Sequence, residues 1–222
     1  ATHITRSRQL RSGATLSETT ASLCKALGVT QRLLPMSDDS VRTVVLSDEG
    51  ELPFQRYFVQ RQCEPVVRGF RFAGLKQAQP QSQMMSALAD PDLSAIVICP
   101  SNPFVSIDPI LSLHGVREAL KASSAPVIAV SPIVSGMAIK GPAAKMMQEL
   151  KLPVSAEAVA EHYRGVVDCF VLDNADATLA AEITAKNMQV AVLPTIMNSL
   201  EDRIALAGQV MELASNFNGA QG

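Results

Sequence analysis

The sequence predicts an α/β fold: a Rossmann-like, mostly parallel sheet with helices on both faces and a small inserted β-rich region. Four short apolar runs, rich in β-branched residues, each predict a strand. They lie at 95–99, 126–131, 169–172 and 189–193. Segments with helical periodicity separate these runs, and the connections have the length that a right-handed crossover between parallel strands requires. The run at 95–99 lacks polar alternation, so we expect that strand to be buried on both faces.

Polar residues follow three of these strands: Ser101-Asn102, Lys140-Gly141 and Asp173-Asn174. Because the carboxyl ends of parallel strands meet at one edge of a sheet, ligands bind there in open α/β folds. Together the three segments offer a turn for a base or ribose, a cation for a diphosphate and a carboxylate for a metal. The residues alone therefore predict a nucleotide or phosphate ligand.

Each of these segments also has a plainer interpretation. Lys140 could be a surface lysine beside a helix start, and its context is not the GxxxxGK[ST] phosphate loop. Asp173 could hold a metal or a ribose hydroxyl, whereas Asp176 suits the N-cap of the next helix. Ser106 or Asp108 is expected to cap the helix that follows the first of these strands.

Two other helices are predicted from their capping residues. Thr15 and Glu18 form a capping box for a helix that Gly28 ends, after a solvated segment at residues 1–14. Ser199 and Asp202 begin the last helix, and helical spacing predicts the apolar face that it buries. That face comprises Leu200, Ile204, Ala207, Met211 and Ala214.

The region before residue 95 has a different character. Residues 43–80 predict an inserted β-rich subregion of a single α/β domain that spans 1–222, because FQRYFVQ, VVRGF and RFAG show the alternation of half-exposed strands. Arginine and aromatic side chains there could stack with nucleic acid or form a polar outer face. Just before it, Asp38 and Asp39 could coordinate a hard cation such as Mg²⁺, or belong to a turn.

Composition argues against several classes of protein. The 222-residue chain has a net charge of -2 and no basic block, so no nucleic-acid partner is expected. No apolar run approaches the roughly 18 residues of a membrane span, and no signal peptide is visible, so we expect a cytoplasmic protein without a membrane partner. The four cysteines are far apart and predict reduced core thiols. They are Cys24, Cys63, Cys99 and Cys169.

Six segments, in order along nearly the whole chain, carry a family resemblance. They are MSDDSVRTVV (36–45), FQRYFVQRQCEPVVRGFRF (54–72), ICPSNPFVSIDPIL (98–111), VSPIVSGMAIKGPAAKMM (130–147), HYRGVVDCFVLDNAD (162–176) and EDR (201–203). On these segments the chain resembles the 2-phospho-L-lactate transferase family, which acts in the biosynthesis of the 5-deazaflavin electron carrier coenzyme F-420.

The resemblance implies a Mg²⁺-dependent transferase that acts on two substrates. A guanosine-diphosphate-linked donor would carry a phospho-acid such as 2-phospholactate or phosphoenolpyruvate. The group would pass to the ribityl hydroxyl of the deazaflavin precursor, with release of GMP. In-line attack at phosphorus, with cationic groups stabilising the developing charge, is the chemistry that this transfer requires.

The resemblance also implies binding roles for particular residues, although it assigns no catalytic residue. The nucleotide is expected at Ser101, Asn102, Ser106, Lys140 and Gly141. The acceptor is expected at Met36, Ser37, Asp38 and Thr43. Asp173 is the candidate Mg²⁺ ligand.

One departure from the family pattern concerns the start of the chain. Members of the family begin with a strand and a Gly-rich GGVGG-like loop, and the sequence shows neither, so we expect it to be the C-terminal two thirds of a longer protein. The family also implies a homodimer. The alternative hypothesis is a non-catalytic regulator of the same fold that binds a nucleotide or nucleotide sugar, as in the gluconeogenesis-factor relatives. Such a regulator would bind nucleotide and turn over nothing.

Overall fold

The computed structural model describes residues 2–138, 141–186 and 188–219. The chain begins with two helices, α1 (Thr2–Arg11) and α2 (Leu16–Ala26). The solvated segment predicted for residues 1–14 is therefore largely helical, although none of the residues of α1 is buried. The capping box predicted for α2 is confirmed: the Glu18 N–H donates to Thr15 Oγ1 at 3.1 Å, and the Thr15 N–H donates to Glu18 Oε2 at 2.8 Å.

An antiparallel three-stranded sheet follows, built from β1 (Arg42–Ser47), β2 (Gly50–Pro53) and β3 (Val67–Ala73). β1 is the central strand, and its Val45 lies opposite Leu52 on one side and Phe70 on the other. The strand predicted from FQRYFVQ is wrong, because Arg56–Gln60 forms a π-helical turn. The buried Tyr57 side chain anchors this turn, which is a tertiary contact that local alternation does not encode.

From residue 82 onward, helices and strands alternate. In order these elements are α3 (Ser82–Leu88), β4 (Ile96–Ile98), a π-helical turn (Pro103–Ile107), α4 (Asp108–Leu111), α5 (Val116–Ala122), β5 (Val127–Val130), β6 (Ile133–Val134), β7 (Met137–Ala138), α6 (Ala143–Glu149), α7 (Ala156–His162), β8 (Cys169–Asp173), a 3-10 helix (Asn174–Leu179), α8 (Ala180–Thr184), β9 (Gln189–Leu193) and α9 (Leu200–Gly219).

Four of these strands form the main sheet, in the order β4-β5-β8-β9, and all of its pairs are parallel. The predicted α/β fold with a mostly parallel sheet is thus confirmed. Every residue of β5 and β8 is buried, as expected for the two central strands. The prediction that β4 is buried on both faces is wrong, since Val97 is 39% exposed. Within the described residues, β4 is an edge strand that pairs only with β5.

The two faces of the main sheet are covered by different helices. On one face Val127 and Phe170 belong to a large apolar core that includes residues of α5, α6 and α7. On the other face Ile128 and Val171 pack in a smaller cluster with one side of α9. Because successive side chains of a strand point to opposite faces, each buried strand supplies both clusters.

The side of α9 that packs on the sheet agrees with the predicted one only at Ala214. Its buried residues are Leu206, Val210 and Ala214, whereas Leu200 and Ile204 are more than 60% exposed. Met211 is also exposed and is not a core residue, contrary to expectation. The helix carries apolar or small residues around most of its circumference, so helical spacing alone did not identify the buried side.

The four cysteines are free, but the prediction of core thiols holds only for Cys169. Cys24 and Cys63 are half-buried, and Cys99 is exposed at the end of the edge strand β4. Among the helices in the described ranges, none is long and apolar enough to cross a membrane.

After β3, the backbone of Gly74 lies very close to the backbone of Ser40, and this contact should matter for stability. Gly74 has φ of +87°, and a Cβ atom added there would overlap the carbonyl oxygen of Ser40. Gly28 has φ of +68° but lies in open space. We expect Gly74→Ala to lower the free energy of unfolding by about 2–5 kcal/mol, because overpacking adds to the left-handed conformation. Gly28→Ala should lower the free energy of unfolding by only about 1–2 kcal/mol, because the left-handed conformation is its only penalty.

Urea unfolding of the two variants beside the wild type measures both effects. Equal losses in the two variants would show that the approach of Ser40 to Gly74 is not the constraint.

Candidate functional site

A cavity of about 560 Å³ lies at the carboxyl ends of the main-sheet strands, and we call it the strand-end cavity. Pro100 and Ser101, which follow β4, form one part of its wall. Pro132 follows β5 and Thr195 follows β9, so three strand ends contribute. Its volume is in the range of small-molecule sites, and its place is where open parallel sheets bind their ligands.

A larger cavity, of about 690 Å³, lies at the opposite edge, where Pro126, Asp168 and Gln189 precede or begin strands. The Asp168 carboxylate there already accepts a hydrogen bond from the Val127 N–H at 2.8 Å. Amino ends of parallel strands are not the edge that α/β folds use for ligands. We therefore take the strand-end cavity as the candidate site.

The residues predicted to bind nucleotide converge in the strand-end cavity. Ser101, Asn102 and Ser106, from the segment after β4, line it together with Gly141, from the segment before α6. Gly141, with φ of +71°, leads into α6. Lys140 lies outside the described residues. The placement of the four lining residues is compatible with their predicted role, which stays a prediction.

Asn102 shapes the segment after β4. Its side-chain Oδ1 accepts hydrogen bonds from the Phe104 N–H at 3.0 Å and the Val105 N–H at 3.4 Å, so Asn102 caps the π-helical turn. The predicted caps, Ser106 and Asp108, are wrong because Pro103 starts the helical segment earlier than expected.

Asp108 has a different role. Its Oδ1 lies 2.8 Å from Nε2 of His162, so it joins α4 to the end of α7. The ring of His162 also contacts Phe104 edge-on, with centroids 5.3 Å apart. The turn that carries Ser106 is thereby held against α7 as well as capped by Asn102.

The predicted acceptor residues lie in the loop before β1 and in β1 itself, and none of them lines the strand-end cavity. Ser37 is 2% exposed, and its hydroxyl donates to the Gln79 carbonyl at 2.5 Å. Met36 holds the same segment, since its carbonyl accepts from the Gln81 N–H at 2.9 Å. Thr43 lies in β1, opposite Phe72 of β3.

The acidic pair of this loop is engaged in internal hydrogen bonds. Asp38 accepts from the Ser17 N–H at 2.6 Å and from the Ser17 hydroxyl at 2.9 Å, which ties the loop to α2. Asp39 accepts from the Gln79 N–H at 2.8 Å. These contacts favour the turn interpretation of the loop over the cation-binding one, because the carboxylate oxygens already have donors.

Asp173 joins the ends of two neighbouring strands, β8 and β9. Its carboxylate accepts from the Thr195 N–H at 2.8 Å, the Thr195 hydroxyl at 3.0 Å and the Ala175 N–H at 3.0 Å. Burial alone would raise the pKa of this carboxyl, but the hydrogen bonds from Ala175, Thr195 and Ile196 outweigh it and hold the pKa below its ordinary value. Asp173 thus stays ionised and positions Thr195, a lining residue.

This arrangement fits metal binding poorly. The oxygens of Asp173 already accept hydrogen bonds from the donors named above, and no group of three or more His, Cys, Asp or Glu side chains that could hold a metal occurs in the described ranges. Asp176 is not the N-cap that the sequence predicted, because Asp173 caps the 3-10 helix. Instead, the buried carboxylate of Asp176 accepts from the Ser135 N–H at 3.0 and 3.2 Å and fixes the β6–β7 turn.

Arg203 belongs to the EDR segment at the start of α9, and the sequence did not predict a role for it. Arg203 supplies a cationic side chain to the strand-end cavity. Its position follows from the predicted capping box, which is confirmed: Asp202 Oδ2 accepts from the Ser199 N–H at 2.8 Å, and the Asp202 N–H donates to Ser199 Oγ at 3.2 Å. A guanidinium can bind a phosphate through charge-assisted hydrogen bonds.

Two aromatic side chains form another wall. The rings of Phe54 and Phe58 are stacked, with centroids 5.6 Å apart and an interplanar angle of 13°, and both line the cavity. Among the described residues that line it, the cavity is therefore part aromatic and part polar, and Arg203 is a cation. Fold and cavity together define an α/β protein whose candidate ligand site lies at the carboxyl edge of its parallel sheet.

Comparison with known proteins identifies the family. The family described as 2-phospho-L-lactate transferase CofD matches residues 1–206. A 2-phospho-L-lactate transferase of Methanosarcina mazei is 37% identical over 212 residues, which are 96% of this chain and 69% of that protein. A phosphoenolpyruvate transferase of Streptomyces griseus is 36% identical over 219 residues, covering 96% of this chain and 68% of that protein.

The chain therefore belongs to the 2-phospho-L-lactate transferase family, a family of transferases in coenzyme F-420 biosynthesis, as the sequence resemblance implied. A crystal structure of a Bacillus halodurans protein has the same fold, with a TM-score of 0.63 at 16% identity over 95% of this chain and 70% of that one. At that identity the likeness concerns the fold alone.

The cap that Asn102 forms on the π-helical turn should stabilise the fold. We expect Asn102→Ala to lower the free energy of unfolding by about 0.5–2 kcal/mol, since two backbone N–H groups lose their acceptor. Asn102→Asp keeps the acceptor and should stay close to the wild type. Chemical denaturation distinguishes the variants, and equal stability of Asn102→Ala and the wild type would exclude the cap as a stabilising contact.

The hydrogen bonds of Asp173 should contribute to stability. We expect Asp173→Ala to lower the free energy of unfolding by about 1–3 kcal/mol at pH 7, because the buried donors of Ala175 and Thr195 lose their acceptor. A carboxyl whose pKa is lower in the folded than in the unfolded state contributes stability above the unfolded pKa and loses it as the pH falls through the folded pKa. The gap between wild type and variant should therefore narrow below the ordinary carboxyl pKa of 3.8.

Unfolding free energies at pH 7 and at a series of values below pH 4 provide the measurement, with the exposed Asp92 changed to Ala as the control. A gap that does not change with pH would contradict the ionised, hydrogen-bonded state of Asp173.

Proposed function

We propose that this protein transfers a phospho-acid group, 2-phospholactyl, phosphoenolpyruvyl or a related acid, from a guanosine-diphosphate-linked donor to the ribityl hydroxyl of the 5-deazaflavin precursor of coenzyme F-420. GMP is the other product, and the working unit is a homodimer. Family membership supports the transferase class, and relatives named for both 2-phospho-L-lactate and phosphoenolpyruvate leave either acid as the group transferred.

The observation that carries the proposal is the convergence of lining residues in the strand-end cavity. Ser101, Asn102, Ser106 and Gly141, the described part of the predicted nucleotide set, all line one cavity beside Arg203. A diphosphate needs cationic donors such as Arg203, and a guanine needs an apolar surface to contact and polar groups at its edge. The cavity offers both kinds of wall.

In this proposal the donor phosphates lie against Arg203 and the backbone of the segments that begin at Ser101 and Gly141. The acceptor hydroxyl attacks phosphorus in line and loses its proton to solvent, and the bond to the leaving GMP breaks on the opposite side. Negative charge grows on the leaving phosphate oxygen as that bond lengthens. A guanidinium that is already in place stabilises this charge without reorganisation, which is where Arg203 contributes to the rate.

Mg²⁺ is part of the proposal because the family resemblance implies it. The described residues do not supply a set of three ligands for it, and Asp173 is occupied by its own hydrogen bonds. We therefore assign no residue to the metal and no step to it. Proteins commonly bind Mg²⁺ through one or two carboxylates together with substrate phosphates.

The test is GMP release by the full chain, measured with 2-phospholactyl and phosphoenolpyruvyl donors, with and without the deazaflavin precursor. We expect release to require the acceptor and to stop on chelation of Mg²⁺. Arg203→Ala should lower kcat/KM about 10- to 100-fold, the value of a charged hydrogen bond. Arg164→Ala is the matched control, since that arginine pairs with Glu161 outside the cavity.

The other outcomes are informative in different ways. Release without acceptor would indicate a hydrolase. Nucleotide binding without turnover by any donor would favour the non-catalytic regulator. Normal activity of Arg203→Ala would remove the strand-end cavity from the proposed mechanism.

A further inference from the structure

The aromatic wall of the strand-end cavity consists of two rings in different environments. Phe54 is half-buried and packs against the main core, whereas Phe58 is 44% exposed. The two rings are stacked with centroids 5.6 Å apart, and both line the cavity. Phe58 thus presents a large apolar ring at the cavity, supported by a second ring that is fixed in the core.

The backbone that presents Phe58 is itself anchored. The adjacent Tyr57 is fully buried, and its hydroxyl donates to the Cys63 carbonyl at 3.4 Å. Lys145 of α6 lies 5.9 Å from the centre of the Tyr57 ring and donates to the Pro65 carbonyl at 3.1 Å. Because Tyr57 holds the π-helical turn to α6, Phe58 is held toward the cavity at little further cost in conformational entropy.

The remaining walls complement an aromatic ligand with polar edges. Ser101 and Ser106 offer hydroxyl groups, and Arg203 offers a cation, in the same cavity. Small-molecule sites are commonly lined by apolar and aromatic side chains, and a small number of polar groups fix the orientation of the ligand. Stacking of a base on an aromatic side chain contributes about 1–3 kcal/mol, so an exposed phenylalanine here would be a major contact.

We propose that Phe58, backed by Phe54, stacks against a flat heteroaromatic ring of a substrate and sets the preference of the cavity for such rings. The ring is the purine of the nucleotide donor or the tricyclic ring of the deazaflavin acceptor, and only this choice of ligands rests on the function proposed above. A phenylalanine that served only to fill the core would be buried, as Tyr57 is in the same turn.

Binding titrations test the proposal without requiring turnover. GDP and the deazaflavin precursor are each titrated by calorimetry into the wild type, Phe58→Leu and Phe58→Tyr. Phe58→Leu keeps an apolar side chain but removes the ring face, so it should weaken binding of one ligand about 5- to 150-fold. Phe58→Tyr keeps the face and should bind nearly as the wild type. Thermal unfolding confirms that each variant is folded.

Val59→Ala is the matched control, because Val59 is in the same turn and 60% exposed but does not line the cavity. It should bind both ligands as the wild type does. Loss of GDP binding in Phe58→Leu identifies the purine as the stacked ring, and loss of deazaflavin binding identifies the acceptor. Unchanged binding of both ligands overturns the inference and leaves the proposed function standing, whereas a wild type that binds neither ligand overturns both.

Discussion

The strand-end cavity depends on the hydrogen bonds that the Asp173 carboxylate accepts from the residues after two neighbouring strands. The end of β8 supplies the carboxylate, and the N–H and hydroxyl of Thr195, two residues past β9, donate to it. A buried carboxylate is costly unless it is well hydrogen-bonded, so these donors and the carboxylate require each other. As a result, the segment between β9 and α9 leaves the sheet in a fixed direction and places Thr195 and Arg203 at the cavity.

A polar side chain also fixes the direction of the chain after the edge strand β4. Asn102 turns the chain by accepting two backbone N–H hydrogen bonds, and the contact between Asp108 and His162 holds the following helix against α7. In both places a short polar side chain satisfies backbone or neighbouring donors where a strand stops. The same residues that look like ligand contacts in the sequence therefore build the walls, and the ligand would meet what they leave free: hydroxyl groups, the Arg203 guanidinium and the Phe58 ring.

Much of the fold could be predicted because local signals were strong there. The apolar runs at 169–172 and 189–193 gave strands with nearly the predicted bounds, and Thr15 with Glu18 and Ser199 with Asp202 gave two caps. Errors arose where tertiary contacts decide, as for the buried side of α9 and the π-helical turn around Tyr57. The choice of Asn102 over Ser106 as cap was missed for a local reason, because Pro103 starts the helical segment early. Within the site, the sequence predicted the polar lining residues after β4, but the contributions of Arg203 and Phe58 depend on packing between distant segments.

A crystal structure of the chain with GDP tests the central claim, that the strand-end cavity is the nucleotide site. We expect the nucleotide between the polar wall and the stacked phenylalanines, with its diphosphate beside Arg203 and the segment that begins at Ser101. Nucleotide bound instead in the cavity at the amino ends of the strands, near Asp168, would contradict it.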